Sequence, residues 1–292
     1  MTNQIFWGIG ILAFISVLYQ IIRFLIPYLR PSKLGKYKIH DAYVLVTGAT
    51  DGIGKAIAIE LANHGFNIIL HGRNSDKLKS VANEIISQNA ACKIVQLLHD
   101  GSKNSQMDIT SIIDLPVNIL VNNVGVGPID EFINMTNQQI EETITLNTTF
   151  PSQLTRNLIP YLKHPALILN VSSYTGLIPP PYLAVYAATK AYNNAFSISL
   201  AREFDNIEVI SLLTGSVNTG SNKKPVSFLR PAADSYAKSI LKIVGCGKQS
   251  IMPYWPHALQ TNLISILPQK IIDKATKDAL IKELKMKNNH QQ

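Results

Sequence analysis

Cysteine is nearly absent from this chain. Cys92 and Cys246 stand far apart, in no spacing that suits a metal, and nothing points to a disulfide framework or a zinc site. Two small buried thiols account for them, and a reducing compartment is favoured. Compositional signs of disorder are also lacking, as are internal repeats. The one low-complexity run is the polar tail, residues 285–292, which reads as frayed. Net charge is +8, but the basic residues are scattered and form no aromatic-laced patch. A nucleic-acid partner is therefore not expected, and a cationic surface near a membrane or an anionic substrate explains the excess.

Charge is missing altogether from residues 5–22, which hold a single amide, Gln20. Eighteen helical residues at 1.5 Å each span roughly 27 Å, close to a hydrocarbon core. There is no basic n-region and no small-residue cleavage site, so the segment reads as a membrane anchor over residues 1–30, not a signal peptide. No Lys or Arg precedes it, whereas Arg23, Arg30, Lys33, Lys36 and Lys38 follow. The positive-inside rule then makes the protein single-pass with its main domain in the cytoplasm. Glycan acceptor patterns at Asn134, Asn147 and Asn170 agree with that side, because two of them fall on an expected buried strand or catalytic position.

Residues 31–40 read as a basic, polar linker, and the rest suits one large α/β domain at 41–260, then a C-terminal helix and tail at 261–292. Short apolar runs at 42–46, 67–71, 93–98, 118–121, 166–171 and 207–213 alternate with helical stretches at 53–64, 76–88, 138–162 (in two pieces) and 186–204. That alternation predicts a doubly wound parallel sheet covered on both faces, a Rossmann fold.

Directly after the first strand comes Thr47-Gly48-Ala49-Thr50-Asp51-Gly52-Ile53-Gly54. Glycines between a strand and a helix let backbone N–H groups approach a pyrophosphate at the positive helix end. The second strand ends His71-Gly72-Arg73-Asn74, with no acid for a ribose 2′-hydroxyl. Arg73 could instead pair with a 2′-phosphate, which favours NADP. Ser172-Ser173 follows the fifth strand, and Tyr186 and Lys190 share a face of the next helix. An ammonium beside a phenol is expected to lower the phenol's pKa.

Together these pieces resemble the short-chain dehydrogenase/reductase family over nearly all of residues 41–260. The matching motifs are the TGATDGIG turn, Asp100, Asn122-Asn123-Val124-Gly125, Asn147, Ser173 and the Tyr186/Lys190 pair. The resemblance implies NADPH as cofactor, with the turn at Gly48, Thr50, Asp51, Gly52, Ile53 and Gly54, then Val124, Gly125, Val217 and Thr219 against it. It also implies that Tyr186 donates a proton to a carbonyl polarised by Ser173, and that Lys190 holds the nicotinamide ribose. Asn147 would carry a water to Lys190, Asp100 would meet the adenine, and Asn123 would steady the sheet edge. No metal is implied. Thr214 stands where the family has a proline, so the loop after the sixth strand is expected to be more mobile.

The anchor, the TGATDGIGKA spelling, NNVG, ILNVSS and the stretch from Tyr254 to Ala258 look like the membrane-bound very-long-chain 3-oxoacyl-CoA reductase and 17β-hydroxysteroid dehydrogenase branch. That implies a lipid or acyl-CoA substrate, a possible homodimer and, in a eukaryote, the endoplasmic reticulum. A steroid or retinoid dehydrogenase is the alternative of the same chemistry, and an inactive cofactor-binding scaffold that of another class. Lys223, Lys224 and Arg230 either meet CoA phosphates or form a solvated basic loop. Tyr182 and Leu183 are candidates for an apolar pocket wall. Residues 255–272 cap that pocket, lie on the bilayer or form a core helix.

Overall fold

A computed structural model describes residues 2–289, with side chains from 6 to 284. It opens on α1 (Thr2–Leu29), a helix long and apolar enough to cross a membrane, none of whose apolar window is buried against the protein. Strand β1 (Tyr43–Val46), helix α2 (Gly52–Asn63), β2 (Asn67–Gly72), α3 (Ser75–Gln88) and β3 (Ile94–Leu98) make the first half of the sheet. Then come β4 (Val117–Asn122), α4 (Asn137–Ile144), α5 (Phe150–Leu158), β5 (Ala166–Ser173), α6 (Ala184–Glu203) and β6 (Ile207–Thr214). Helix α7 (Ala233–Lys242), the two-residue β7 (Ser250–Ile251), α8 (Trp255–Ile264) and α9 (Gln269–Asn289) complete the chain.

All seven strands run parallel in the order β3-β2-β1-β4-β5-β6-β7. The order reverses between β1 and β4, the switch point where such sheets leave a crevice beyond the carboxyl ends of their strands. Strands β1, β2, β4 and β5 are buried along their whole length, because helices cover both faces. One apolar cluster lies on the α2–α3–α7 side, around Ile57, Leu61, Leu78 and Tyr236. The other lies against α4 and α5, around Leu146, Phe150 and Leu154. A buried polar cross-link ties β4, β5 and α6: Asn122 donates to Asn170 Oδ1 (2.8 Å), and Asn170 donates to Ser197 Oγ (2.9 Å). Asn147 and Asn170 are both buried, so two of the three glycan patterns could not be used in this fold.

Residues 31–40, expected to be a polar linker, are instead packed onto the domain. Leu34 and Tyr37 are buried in the first cluster, the Tyr37 hydroxyl donates to Glu208, and Ser32 Oγ donates to the Leu241 carbonyl. The polar tail differs too: it is helical as far as Asn289, as the end of α9, and residues 290–292 lie outside the described part.

Candidate active site

The glycine turn joins β1 to α2 at the switch point. Asp51 is the N-cap of α2, its carboxylate accepting from Gly52 N (2.6 Å). Gly54 permits the closest approach: a β-carbon there would overlap the Gly48 carbonyl and the Asn123 amide. Asn123 donates to the carbonyls of Thr47 (3.0 Å) and Gly48 (3.3 Å), so it steadies the turn. The amides of Asn123 and Val124 both donate to Thr47 Oγ1. Behind the turn, buried His71 stacks on Phe150 with centroids 5.2 Å apart, and its Nδ1 accepts from Gly48 N (3.4 Å). Burial depresses its pKa to about 4, so the ring is neutral and free to accept.

Thr50 meets Gly72 where β2 ends, and Ile53 packs on the core. Just beyond, exposed Arg73 lies 3.9 Å from Asp100, which is held by Ser102 N and Oγ (3.1 and 2.7 Å). A guanidinium this exposed and this loosely paired has donors left for a phosphate. Thr219 sits against Gly52, and Gly220 against Asp51, so the loop after β6 folds over the turn. The Val217 side chain is taken up by the core, which leaves its backbone to meet any ligand.

Ser173 ends β5, beside Thr214 on β6. Its hydroxyl donates to the Thr214 carbonyl over 3.3 Å and accepts from Thr175 Oγ1 (2.9 Å), whereas Ser172 is committed to the Lys190 carbonyl (2.7 Å). Tyr186 and Lys190 stand one turn apart on α6, with Lys190 Nζ 5.6 Å from the Tyr186 ring centroid. Lys190 is only 4% exposed, and its Nζ donates to the Val171 carbonyl (2.8 Å). Burial brings its pKa down to about 8. The Tyr186 phenol is pushed up by burial and only partly offset by Ser173, contrary to the lowered value expected from the lysine. The reason is that desolvation of both groups outweighs their attraction while the ammonium is turned to Val171.

Asn147 lies in a π-helical turn, residues 145–149, between α4 and α5. Pro151 has no N–H, so the Asn147 carbonyl lacks the donor a regular α-helix would supply. Such turns recur at functional sites. Its side chain exchanges two hydrogen bonds with Val126 (2.8 and 2.9 Å) and donates to Thr189 Oγ1 (3.0 Å), which donates to the Tyr186 carbonyl (2.7 Å). At Gly125 a β-carbon would lie 3.2 Å from Asn147 Oδ1 and 3.3 Å from Lys190 Nζ, so these groups converge on one point.

Gly127 was not among the expected site residues, yet a β-carbon there would lie 2.7 Å from the Tyr186 ring. Its spacing two residues beyond Gly125 was the available signal. Gly127→Ala is expected to displace the phenol and lower kcat about a hundred-fold, with cofactor affinity unchanged, in parallel turnover and binding titrations.

The expected substrate residues are divided. Tyr182 has a left-handed φ of 64°, and its carbonyl accepts from Asp130 N (3.1 Å), which fixes the wall before α6. Leu183 is half-buried at the N-cap of α6. Lys223 is exposed, but Lys224 is paired with Glu283 of α9 (2.6 Å), and Arg230 donates to Ser216 Oγ and the Pro225 carbonyl. Two of the three basic residues therefore brace the loop. Thr214 is likewise engaged and not loose: its hydroxyl accepts from buried Tyr236 (3.0 Å).

A nicotinamide cofactor fits these residues. Lys190 Nζ carries three donors and its one hydrogen bond among the described residues goes to Val171, so ribose hydroxyls beside Gly125 would satisfy it. Lys190 would hold the nicotinamide ribose, and Arg73 and Asp100 the adenosine end.

Residues 42–228 match the family model for short chain dehydrogenases. A very-long-chain 3-oxoacyl-CoA reductase of Kluyveromyces lactis is 38% identical over 252 residues, covering 78% of this chain and 71% of that one. A very-long-chain 3-oxoacyl-CoA reductase-like protein of Arabidopsis thaliana is 33% identical over 292 residues, 91% of this chain and 92% of that one. Among solved structures, a 7β-hydroxysteroid dehydrogenase aligns at TM-score 0.66 and 20% identity, over 76% of this chain and 90% of that one. A short-chain dehydrogenase of Sphingobium yanoikuyae in complex with NADPH aligns at 0.63 and 23% identity, over 79% and 95%. Those two likenesses concern the fold.

Proposed function

The chain belongs to the short-chain dehydrogenase family and is an oxidoreductase using a nicotinamide cofactor; on that premise we propose that it reduces the ketone of a long-chain 3-oxoacyl-CoA with NADPH. The observation that carries this is the convergence of Ser173, Tyr186 and Lys190 between the carboxyl end of β5 and the first turns of α6, beside Gly125 and Gly127. The acyl-CoA choice leans on the reductase relatives named above and on exposed Lys223. The choice of NADPH leans on Arg73 and on the absence of an acid at the end of β2.

The bound cofactor supplies a hydride to the carbonyl carbon. Ser173 turns its hydroxyl from the long bond to Thr214 toward the carbonyl oxygen and polarises it. Tyr186 gives that oxygen its proton; burial keeps the phenol protonated through neutral pH, as an acid requires. Lys190 orients the ribose and draws a replacement proton through a water held at the Asn147 carbonyl. The helix α1 anchors the enzyme in a membrane, with the catalytic domain on the cytoplasmic side, the endoplasmic reticulum in a eukaryotic cell.

Detergent-solubilised protein should oxidise NADPH when offered a long-chain 3-oxoacyl-CoA, and far more slowly with NADH. Arg73→Ala should raise the KM for NADPH by about ten- to a hundred-fold, the value of a charge-assisted hydrogen bond, and leave that for NADH unchanged. Turnover of a ketosteroid but of no acyl-CoA would move the substrate to the steroid class.

A further inference from the structure

An apolar stripe on the C-terminal helices is left largely exposed among the described residues. Trp255, Leu259 and Leu263 follow one another at i, i+4 and i+8 on α8, all exposed. Ile266 and Leu267 continue the line across the turn, and Ile271 carries it onto α9. Leu263 is 59% and Ile266 79% exposed, a costly arrangement in water for residues of this size. The stripe reaches the loop after β6: the exposed Phe228 ring packs edge-on against Trp255 at 5.4 Å, and Tyr254 Oη donates to the Phe228 carbonyl (3.1 Å).

The place of α8 relative to α1 decides what covers this stripe. Pro27 is buried against the domain, and Tyr28 Oη donates to the Met252 carbonyl (2.9 Å), three residues before α8 begins. Arg23 is the first charge after the apolar run, so it marks the membrane edge. Tyr28 lies five residues further, about 7 Å along the helix axis. The start of α8 is therefore held within the headgroup region, where interfacial helices sink an apolar face about 5–10 Å.

We propose that the stripe from Trp255 to Ile271 is a second membrane contact, seated in the headgroup–acyl boundary of the leaflet that α1 enters. This rests on α1 being an anchor. Lys270 and Lys274 flank the stripe with the charge that anionic headgroups attract. The contact also bears on the active site. His257, on the buried face of α8, packs on Gly215 and its Nε2 lies 3.2 Å from the Leu229 carbonyl, so α8 is tied to the loop after β6. The loop after β6, which carries Phe228, then lies at the same membrane face as the stripe.

The two tryptophans make the test simple, since Trp7 lies in α1 and Trp255 in the stripe. The full chain is reconstituted in phosphatidylcholine vesicles with or without bromine on the upper acyl chain. In Trp7→Phe, brominated lipid should quench Trp255 emission and aqueous iodide should not. Adding Leu263→Glu and Ile266→Glu should abolish that quenching. The pair should also raise the KM for a membrane-partitioned substrate about tenfold, with kcat on a short water-soluble 3-oxoacyl-CoA unchanged. In Trp255→Phe, quenching of Trp7 reports the anchor alone. Trp7 quenched with Trp255 open to iodide would overturn the second contact and leave the anchor standing; neither quenched would overturn both. Trp255 shielded from iodide yet unquenched by brominated lipid would assign the stripe to another copy of the chain and overturn the proposal.

Discussion

Tyr186→Phe is expected to lower kcat for ketone reduction by about a hundred- to ten-thousand-fold, the span that a positioned acid contributes. The substitution keeps the ring, its contact with Gly127 and its place over Lys190, and removes only the hydroxyl. Cofactor affinity and folding should therefore change little, which separates loss of the proton from loss of the site. The check is a single-turnover measurement with saturating NADPH beside a cofactor titration by fluorescence. Because burial raises the Tyr186 pKa, the wild-type reductive rate should be flat through neutral pH and fall only on the alkaline side, as the phenol loses its proton. A kcat reduced less than about tenfold would mean that water protonates the oxygen and that Tyr186 only shapes the pocket.

Most of the sheet was legible because parallel strands buried on both faces spell unbroken apolar runs. The cores of β1, β2, β4, β5 and β6 fall where those runs predict them, and differ by one or two residues at their ends. Strand β7 was not, since two residues, Ser250 and Ile251, make no pattern. The break in the long helix was visible in outline, but its π-helical form was not. It follows from Pro151 together with three residues, Asn147, Thr148 and Thr149, that gain little from a regular helix.

The site residues carried by spacing, such as Tyr186 and Lys190 or the glycines of the turn, are legible in the sequence alone. Residues whose role depends on a distant partner could not. Nothing local tells that Lys224 is spoken for by Glu283, or that Tyr28 reaches Met252, 224 residues away. The same limit applies to residues 31–40, whose polar character hides two side chains, Leu34 and Tyr37, that complete the core. The sign of the Tyr186 shift is hidden for another reason: spacing shows that a lysine is near, and only packing shows how much water both groups have lost.

Lys190→Met is expected to do two opposite things, abolishing most of the activity while making the cofactor-free protein more stable. Burial moves this lysine from its ordinary 10.5 to about 8, so below pH 8 the fold must hold a charge it disfavours. That disadvantage amounts to about 3 kcal/mol. Between pH 8 and 10.5 the unfolded chain binds more protons than the folded one, so wild-type stability rises with pH across that window. Methionine fills the same volume with no charge to bury, although it leaves the Val171 carbonyl without its donor. The gain in melting free energy should thus be largest near neutral pH, somewhat under the full value, and shrink toward pH 10.5 as wild type catches up. NADPH should narrow the difference from the other side, because ribose hydroxyls give the wild-type ammonium the partners it lacks and the mutant cannot use them. Denaturant titrations of both proteins at pH 7 and pH 10, each with and without NADPH, read all four quantities. A mutant less stable than wild type at pH 7 would show that the lysine is structural, held by Val171 for the sake of the β5–α6 contact and not for the cofactor.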